Sequence, residues 1–294
     1  MSRFTKVDLT KLPAADAIEA LSKETILSEV VADMTNRMAS RGIPYDVGAM
    51  ETDPFKILAE VFTERETNLR ARVNDSVKAV LLAYSWGTNL DHIGARLGVE
   101  RQDGEADDRL RDRIQLAIEA FSTAGPNGAY VFHGYSASPL VKDLAVYGPE
   151  SEIVEPGEVG VYVLSTEGNG AASEELLALV ETKLNEDDVR PLTDYPLINS
   201  AEIVPYQIAL TIKVPRGPDA EAIRTFVQQR ITEYVTSRHA IGRSVSLAGI
   251  IAAAFVQGAV EDVDVASPSD DIETTPTQAA YCTAAEVFVE VLET

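Results

Sequence analysis

The sequence predicts an α+β protein in which a helical N-terminal region is followed by two related small α/β modules. Three observations support this fold class. Apolar residues recur at helical spacing in the first part of the chain, alternating apolar residues appear only in the later part, and one nine-residue pattern occurs twice. We predict residues 1–121 as the helical region, 122–205 as the first module and 206–294 as the second.

The helical region begins with a predicted helix over residues 16–40, after which Gly42 acts as a stop signal. Its apolar residues fall at helical spacing. They are Ile18, Leu21, Leu27, Val30, Met34 and Met38.

A second helix is predicted from Pro54 to about Tyr84, with Asp53 as its N-cap. It is longer than the usual helix of roughly 8–20 residues, so it needs a long partner. Two partners remain open, namely the helix at 16–40 or a bundle shared with other subunits. The stripe that would form the protein interface in the second case consists of Leu58, Phe62, Leu69, Val73 and Val77.

The rest of the helical region reads as a short helix between two turns over 87–105 and an amphipathic helix over 107–121. Positive charge is concentrated in this region, and we interpret it as pairing along the helix, as between Glu66 and Arg70. The alternative is that these arginines meet acidic surfaces of partner subunits. They are Arg65, Arg70, Arg72 and Arg96.

The two modules are predicted from alternation and from helix caps. Valines alternate over 159–163 and 287–291, and apolar residues alternate over 208–214, which is the period of a strand. Helices are predicted over 173–184, with Ser173 as N-cap, and over 217–235, with Pro218 in the first turn.

A repeat links the modules. Residues 141–149 read VKDLAVYGP and residues 260–268 read VEDVDVASP, and each stretch follows a short apolar helix and precedes a valine-rich strand. This order of elements indicates an internal duplication, with helices packed over short antiparallel sheets.

No catalytic, cofactor-binding or metal-binding motif is found. Phosphate-loop, dinucleotide, nucleophile-elbow and zinc motifs are absent from the sequence. The residues themselves therefore give no candidate catalytic residue and no cofactor site. Each of His92, His133 and His239 is interpreted as a structural or surface residue, and Cys282 as a buried small hydrophobe. Three acidic pairs are interpreted as solvated, namely Asp107–Asp108, Asp187–Asp188 and Asp270–Asp271.

The net charge of −22 argues against nucleic acid and anionic membrane as partners, because both are bound through clustered Lys and Arg. No leader or membrane-spanning stretch is found, and there is a single cysteine. These features predict a soluble protein of the cytoplasm that binds neither nucleic acid nor membrane.

The stretch FSTAGPNGAYVFHGYSASP, residues 121–139, has two interpretations. It forms either a glycine-rich ligand loop near Tyr130 and His133, or a helix-to-helix corner built on Gly125, Pro126 and Gly128. The repeat favours the corner, with Tyr130 and Phe132 as packing residues. A soluble α/β enzyme or ligand-binding protein that uses this loop remains the alternative function, and a host-side adaptor is a further rival.

Four runs, in this order, resemble the baseplate J-like proteins of contractile-tailed bacteriophages. They are AVLLAYSWGTNLDHIGARLGVER (79–101), DDRLRDRIQLAIEAFSTAGPNGAYVFHGYSASPLVKDLAVYGP (107–149), LNEDDVRPLTD (184–194) and TQAAYCT (277–283). The resemblance covers nearly the whole chain, and the first 15 or so residues are least alike.

This resemblance implies a structural wedge protein of the tail baseplate with no enzymatic activity, no cofactor and no small-molecule substrate. Its N-terminal helices would join a bundle with another wedge protein, and its modules would help to close a ring around the central hub. The expected partners are other wedge proteins and a second copy of the chain. The expected location is the virion tail, after assembly in the host cytoplasm. The ring would take part in the switch that triggers sheath contraction.

Overall fold

The computed structural model divides the chain into two compact units. We call Lys6–Arg101 with Ala106–Arg111 the helical unit, and Gln102–Glu105 with Asp112–Thr294 the two-sheet unit. The predicted three-part division of the chain stays a prediction. The structure describes residues 7–45, 50, 52–122, 126–217 and 219–292.

The predicted fold class is confirmed, since helices come first and strands follow. Within the described residues there are eight α-helices and two three-stranded sheets. The helices are α1 (Lys23–Ala39), α2 (Pro54–Val80), α3 (Gly87–Ala95), α4 (Asp107–Leu116), α5 (Asn127–Ala137), α6 (Glu174–Leu184), α7 (Ala220–Arg238) and α8 (Leu247–Ala254). The strands are β1 (Val141–Tyr147), β2 (Glu158–Ser165), β3 (Tyr195–Ser200), β4 (Glu202–Val214), β5 (Asp262–Ser267) and β6 (Gln278–Val291).

The first helix begins seven residues later than the prediction of residue 16. The Ser22 side chain caps α1 by accepting a hydrogen bond from the Thr25 amide. The backbone of Glu19 instead exchanges two hydrogen bonds with the side-chain amide of Asn74 in α2. Those residues before Ser22 are therefore bound to α2 and do not continue α1.

The second helix starts as predicted, because Asp53 accepts a hydrogen bond from the Phe55 amide and Pro54 is the first helical residue. It ends at Val80, four residues before the predicted end. The Arg111 side chain donates hydrogen bonds to the carbonyl oxygens of Leu82 and Ser85, at 3.0 and 2.7 Å. These carbonyls are thus satisfied outside a helix.

The predicted helix over 107–121 is also shorter than expected. Helix α4 ends at Leu116, and a short 3₁₀ turn follows over Glu119–Phe121. The Ala117 and Ala120 amides donate to carbonyl oxygens three residues earlier, so the chain tightens out of the α-helical geometry here.

The first sheet has the order β1-β2-β3 and is mixed. Strand β1 pairs antiparallel with β2, and β2 pairs in parallel with β3 through the crossover helix α6. Helices α5 and α6 contact this sheet and each other. The core between them consists of Tyr130, Val141, Leu144, Val146, Val161, Val163, Leu176, Val180 and Leu184.

The second sheet has the order β5-β4-β6 and is also mixed, with β4 antiparallel to β5 and parallel to β6. Its central strand shows the predicted alternation, and the buried face packs under α7 and α8. The larger buried side chains of this core are Tyr206, Ile208, Leu210, Ile212, Val214, Val227, Ile231, Val245 and Ile250.

The repeat is only partly correct. Both repeated stretches form the antiparallel edge strand of a three-stranded sheet, as β1 and β5. The strands that follow are not equivalent, because β2 is central in its sheet whereas β6 is at an edge. The sheets are mixed rather than antiparallel, so each needs a helical crossover for its parallel pair.

Candidate interaction surface

A row of large apolar side chains on α2 faces solvent. We define the α2 stripe as Leu58, Phe62, Leu69, Val73 and Val80, whose exposed fractions range from 44% to 65%. At 3.6 residues per turn these residues lie within an arc of about 60°. Val77, the fifth predicted interface residue, lies at the margin of this arc and is half-buried. The stripe is therefore one continuous surface on one side of the helix.

The neighbouring side of α2 holds its buried residues, and α1 packs on this helix. The buried residues are Ala59, Thr63 and Asn74, all of them small or polar. Asn74 accepts from the Glu19 amide and donates to the Glu19 carbonyl, at 3.0 and 2.9 Å. The buried side of α2 thus consists of small and polar residues, and its large apolar residues are exposed.

Charged side chains border the α2 stripe unequally. On one border Arg70 binds Glu66 at 2.6 Å and Glu19 at 3.3 Å, as the sequence predicted for Glu66. On the other border lie Arg65 and Arg72, both exposed and without an ion-pair partner in the described parts of the chain. One side of the stripe is therefore charge-paired, and the other carries two unpaired cations.

Asp107 is not the solvated carboxylate that the sequence suggested. It accepts hydrogen bonds from the Gly87 amide at 3.0 Å and from Arg101 at 2.7 Å. These contacts, the Gly87 amide first, lower its pKa. Arg101 also binds Asp91 at 2.7 Å, so it joins the starts of α3 and α4. Sequence analysis missed Arg101, whose partners lie 6 and 10 residues away.

The two sheets are joined by a buried polar contact. Asp143 on β1 accepts a hydrogen bond from the Ile241 amide at 2.8 Å and another from the Tyr135 hydroxyl at 3.1 Å. Ile241 also pairs with Ala279 at the start of β6. A small apolar cluster surrounds this contact, and it consists of Ala145, Leu164, Ala201, Ile241 and Ala279.

His239 extends the same junction. Its Nδ1 lies 2.7 Å from Lys142 Nζ, and its ring packs against Tyr281 at 5.2 Å between centroids. Gly170, with φ of +96°, approaches so closely that an added Cβ would lie 2.7 Å from His239 Nε2. Burial, and then the charge of Lys142, lower the pKa of His239. The shift favours the neutral ring, and a neutral imidazole can accept at Nδ1 from Lys142. His239 therefore has a structural role, in which it contacts Lys142, Tyr281 and Gly170.

Within the stretch 121–139, residues Asn127–Ala137 form the packed helix α5. Tyr130 is buried in α5 and donates to Asp194 at 2.9 Å, and burial followed by this hydrogen bond raises its pKa. The sequence predicted Gly128 at a helix-to-helix corner, but the residue belongs to α5. A Cβ added to Gly128 would lie 2.6 Å from Glu119 Cγ. Pro126 is the N-cap of α5, and Gly125 lies outside the described residues. The described part of this stretch therefore packs against the first sheet.

The other predicted candidates remain scattered. His133 has a pKa lowered mainly by burial, Cys282 is half-buried, and Asp271 caps α8 by accepting from the Leu247 amide at 2.8 Å. Among the described residues, no group of three or more His, Cys, Asp or Glu side chains is arranged to hold a metal ion. None of the described helices has the length and apolar character to span a membrane.

Comparison with known proteins gives a consistent result across the chain. Models of the N-terminal, central and C-terminal domains of baseplate J-like proteins match residues 51–108, 122–199 and 206–287. The chain is 39% identical over 299 residues to "Baseplate protein J" of Escherichia phage P2, and the alignment covers 94% of this chain and 95% of that protein.

One solved structure is also similar, at 15% identity and a TM-score of 0.42. It is a chain of the anti-feeding prophage baseplate, determined by cryo-EM with 6-fold symmetry. The match covers 64% of this chain and only 43% of that one, so this chain spans less than half the length of its structural neighbour.

Proposed function

The chain belongs to the baseplate J-like family, and from this premise we propose that it is a structural component of a phage tail baseplate. Its place is the baseplate of the virion tail, where it binds other baseplate proteins. The proposal includes no catalytic activity. Identity of 39% along nearly the full length of a baseplate protein is the observation that carries this role.

The finer proposal is that the chain is a wedge protein of a contractile tail and that the α2 stripe binds a neighbouring wedge protein. The observation that supports it is the exposure of Phe62, Leu69 and Val73, which lie on one side of a long helix. Exposed apolar surfaces of this kind mark protein interfaces more often than isolated exposed residues do. An amphipathic helix from another subunit would bury them.

The two-sheet unit would then supply contacts with a second copy of the chain in a ring around the hub, and it would take part in the switch that triggers sheath contraction. Such a switch requires interfaces with two packings of similar free energy. Assembly in the host cytoplasm, before the tail is completed, belongs to the same proposal.

The test replaces Leu69 and Val73 together by Asp in the full chain, co-expressed with the other tail proteins of its particle. Two carboxylates in the centre of a buried apolar contact cost several kcal/mol, so wedge co-purification should be lost. The matched control replaces Ile57 by Asp. This residue is 49% exposed on the same helix, but it lies outside the α2 stripe and away from the border of Arg65 and Arg72, so its variant should still co-purify.

Circular dichroism and thermal unfolding of both variants check that α2 and the two sheets remain folded. If the Leu69→Asp, Val73→Asp variant is folded and still assembles wedges, the proposed role of the stripe is wrong. Equal loss in both variants would also contradict it, because the effect would then not be specific to the stripe.

A further inference from the structure

The charged residues beside the α2 stripe indicate what kind of partner it binds. Arg65 and Arg72 are seven residues apart, which is close to two helical turns, so both lie along the same border of the stripe. Neither has an ion-pair partner within the residues that the structure describes. No acidic residue of α2 lies between the two arginines on this border. Asn68, which is uncharged, lies between them in the chain on the same side of the helix.

The acidic residues of α2 are placed elsewhere. Glu64 binds Lys23 of α1, and this contact lowers its pKa. Glu66 is on the opposite border of the stripe, where Arg70 holds it with two nitrogens, Nε at 3.0 Å and Nη2 at 2.6 Å. Asp75 lies three residues after Arg72 but forms no ion pair with it, and α2 has no carboxylate three or four residues from Arg65. Both arginines therefore stay without an ion pair among the described residues, in a chain whose net charge is −22.

We propose that the α2 stripe binds an amphipathic helix of a different protein, whose apolar stripe is bordered by Asp or Glu on the side that faces Arg65 and Arg72. This inference rests on the proposed function and specifies the partner at the same surface. In helix pairs, charged residues that border the apolar seam set partner choice and orientation. The stripe runs from Leu58 to Val80, about 33 Å at 1.5 Å per residue, so the partner helix needs a comparable length.

A second copy of α2 fits this surface poorly. If two copies packed antiparallel, Arg65 and Arg72 of one would face the same arginines of the other. If they packed parallel, these arginines would face the border where Glu66 is already bound by Arg70. Neither arrangement offers a free carboxylate, and the first brings like charges together, which disfavours that pairing.

The experiment reverses the charge of both arginines, Arg65→Glu and Arg72→Glu, in the full chain. Binding to the co-expressed wedge protein is measured after purification, at about 50 mM and about 300 mM salt. We expect binding to weaken about tenfold or more at low salt, because attraction becomes repulsion, and the difference from the unmodified chain to shrink at high salt. The matched control reverses Lys78 and Arg96, two basic residues of the helical unit away from this border. It should bind as the unmodified chain does.

A charge-swap then identifies the partner's carboxylates. Changing the Asp or Glu residues beside the partner's apolar stripe to Lys should restore binding to the Arg65→Glu, Arg72→Glu chain and weaken binding to the unmodified one. Sedimentation of the purified chain supplies the remaining comparison. The Leu69→Asp, Val73→Asp change should leave its self-association unaltered.

The outcomes separate this inference from the proposed function. If the Leu69→Asp, Val73→Asp variant loses the wedge protein but reversing both arginines changes binding less than twofold, the interface stands and the acidic partner helix is wrong. If the Leu69→Asp, Val73→Asp variant still co-purifies with the wedge protein, the proposed function of the stripe is wrong. If the Asp variant instead abolishes self-association of the purified chain, the occupant is a second copy and the inference is overturned.

Discussion

The helical unit and the two-sheet unit bury different kinds of side chain. In the two-sheet unit, large aliphatic residues such as Leu210, Ile212 and Ile231 have no exposed surface. In the helical unit, α2 buries Ala59, Thr63 and Asn74, whereas its Phe62 and Leu69 face solvent. The two-sheet unit thus contains its own core, whereas α2 exposes its largest apolar residues to solvent.

This difference separates a part whose core is complete within the chain from a part whose large apolar residues are exposed. Burial of an aliphatic side chain contributes about 1.5–3 kcal/mol, so the two-sheet unit gains this free energy within the chain. The α2 stripe can gain it only when a partner covers it. Stability of the isolated chain and stability of the assembled particle should therefore respond to different residues.

The largest expected effect is a difference between two Ala substitutions in how far they lower the free energy of unfolding. Ile231→Ala leaves a cavity under the second sheet and should lower the free energy of unfolding by about 2–5 kcal/mol. Leu69→Ala changes a residue that is 65% exposed and should alter it by less than about 0.5 kcal/mol. Urea denaturation of the purified variants measures both. A loss of more than 2 kcal/mol in Leu69→Ala would mean that the stripe is covered within the isolated chain.

A smaller effect is expected at the junction between the two sheets. Gly168 and Gly170 both have positive φ, at +58° and +96°, so Ala strains the backbone at each position. An added Cβ meets nothing within 4 Å at Gly168, but at Gly170 it meets His239. Gly168→Ala should cost about 1 kcal/mol and Gly170→Ala about 2–3 kcal/mol. Equal thermal shifts in the two variants would show that the junction yields to an extra methyl group.

The smallest effect concerns pH. His239 has a lowered pKa in the folded chain, because burial and Lys142 disfavour its charged form, while Asp143 opposes this shift. Tyr281 is the other titratable group against the ring. The unfolded state therefore binds more protons, and stability is full above an ordinary histidine pKa of about 6.5 and falls as pH drops below it.

The variant His239→Gln should remove this part of the pH dependence between about pH 7.5 and pH 5. His133 is unchanged in both proteins, so it cancels in the difference. His92→Gln, at an exposed position, serves as the control and should keep the dependence of the unmodified chain. The denaturation midpoint is measured as a function of pH across this range. If the midpoint changes with pH equally in His239→Gln and in the unmodified chain, the pH dependence does not come from His239.

Local sequence determined the elements whose signals are local. Side-chain caps at Asp53 and Ser173 start α2 and α6 where the sequence predicts, since a cap needs only its own turn of backbone. Alternation over 208–214 identified β4, because one face of the strand is buried throughout. The large residues of the α2 stripe were also visible as a helical period.

Tertiary structure alone decided which strands pair, where helices end and which apolar residues stay exposed. Strand β2 is central and β6 is an edge although their sequences look alike, because pairing depends on strands distant in the chain. Just after the end of α2, Arg111 donates to carbonyl oxygens of residues 26 and 29 positions earlier in the chain. Asn74 binds the backbone of Glu19, before α1, whereas Leu69 on another side of α2 is exposed. Periodicity gives the faces of a helix, but only packing assigns each face to a neighbour or to solvent.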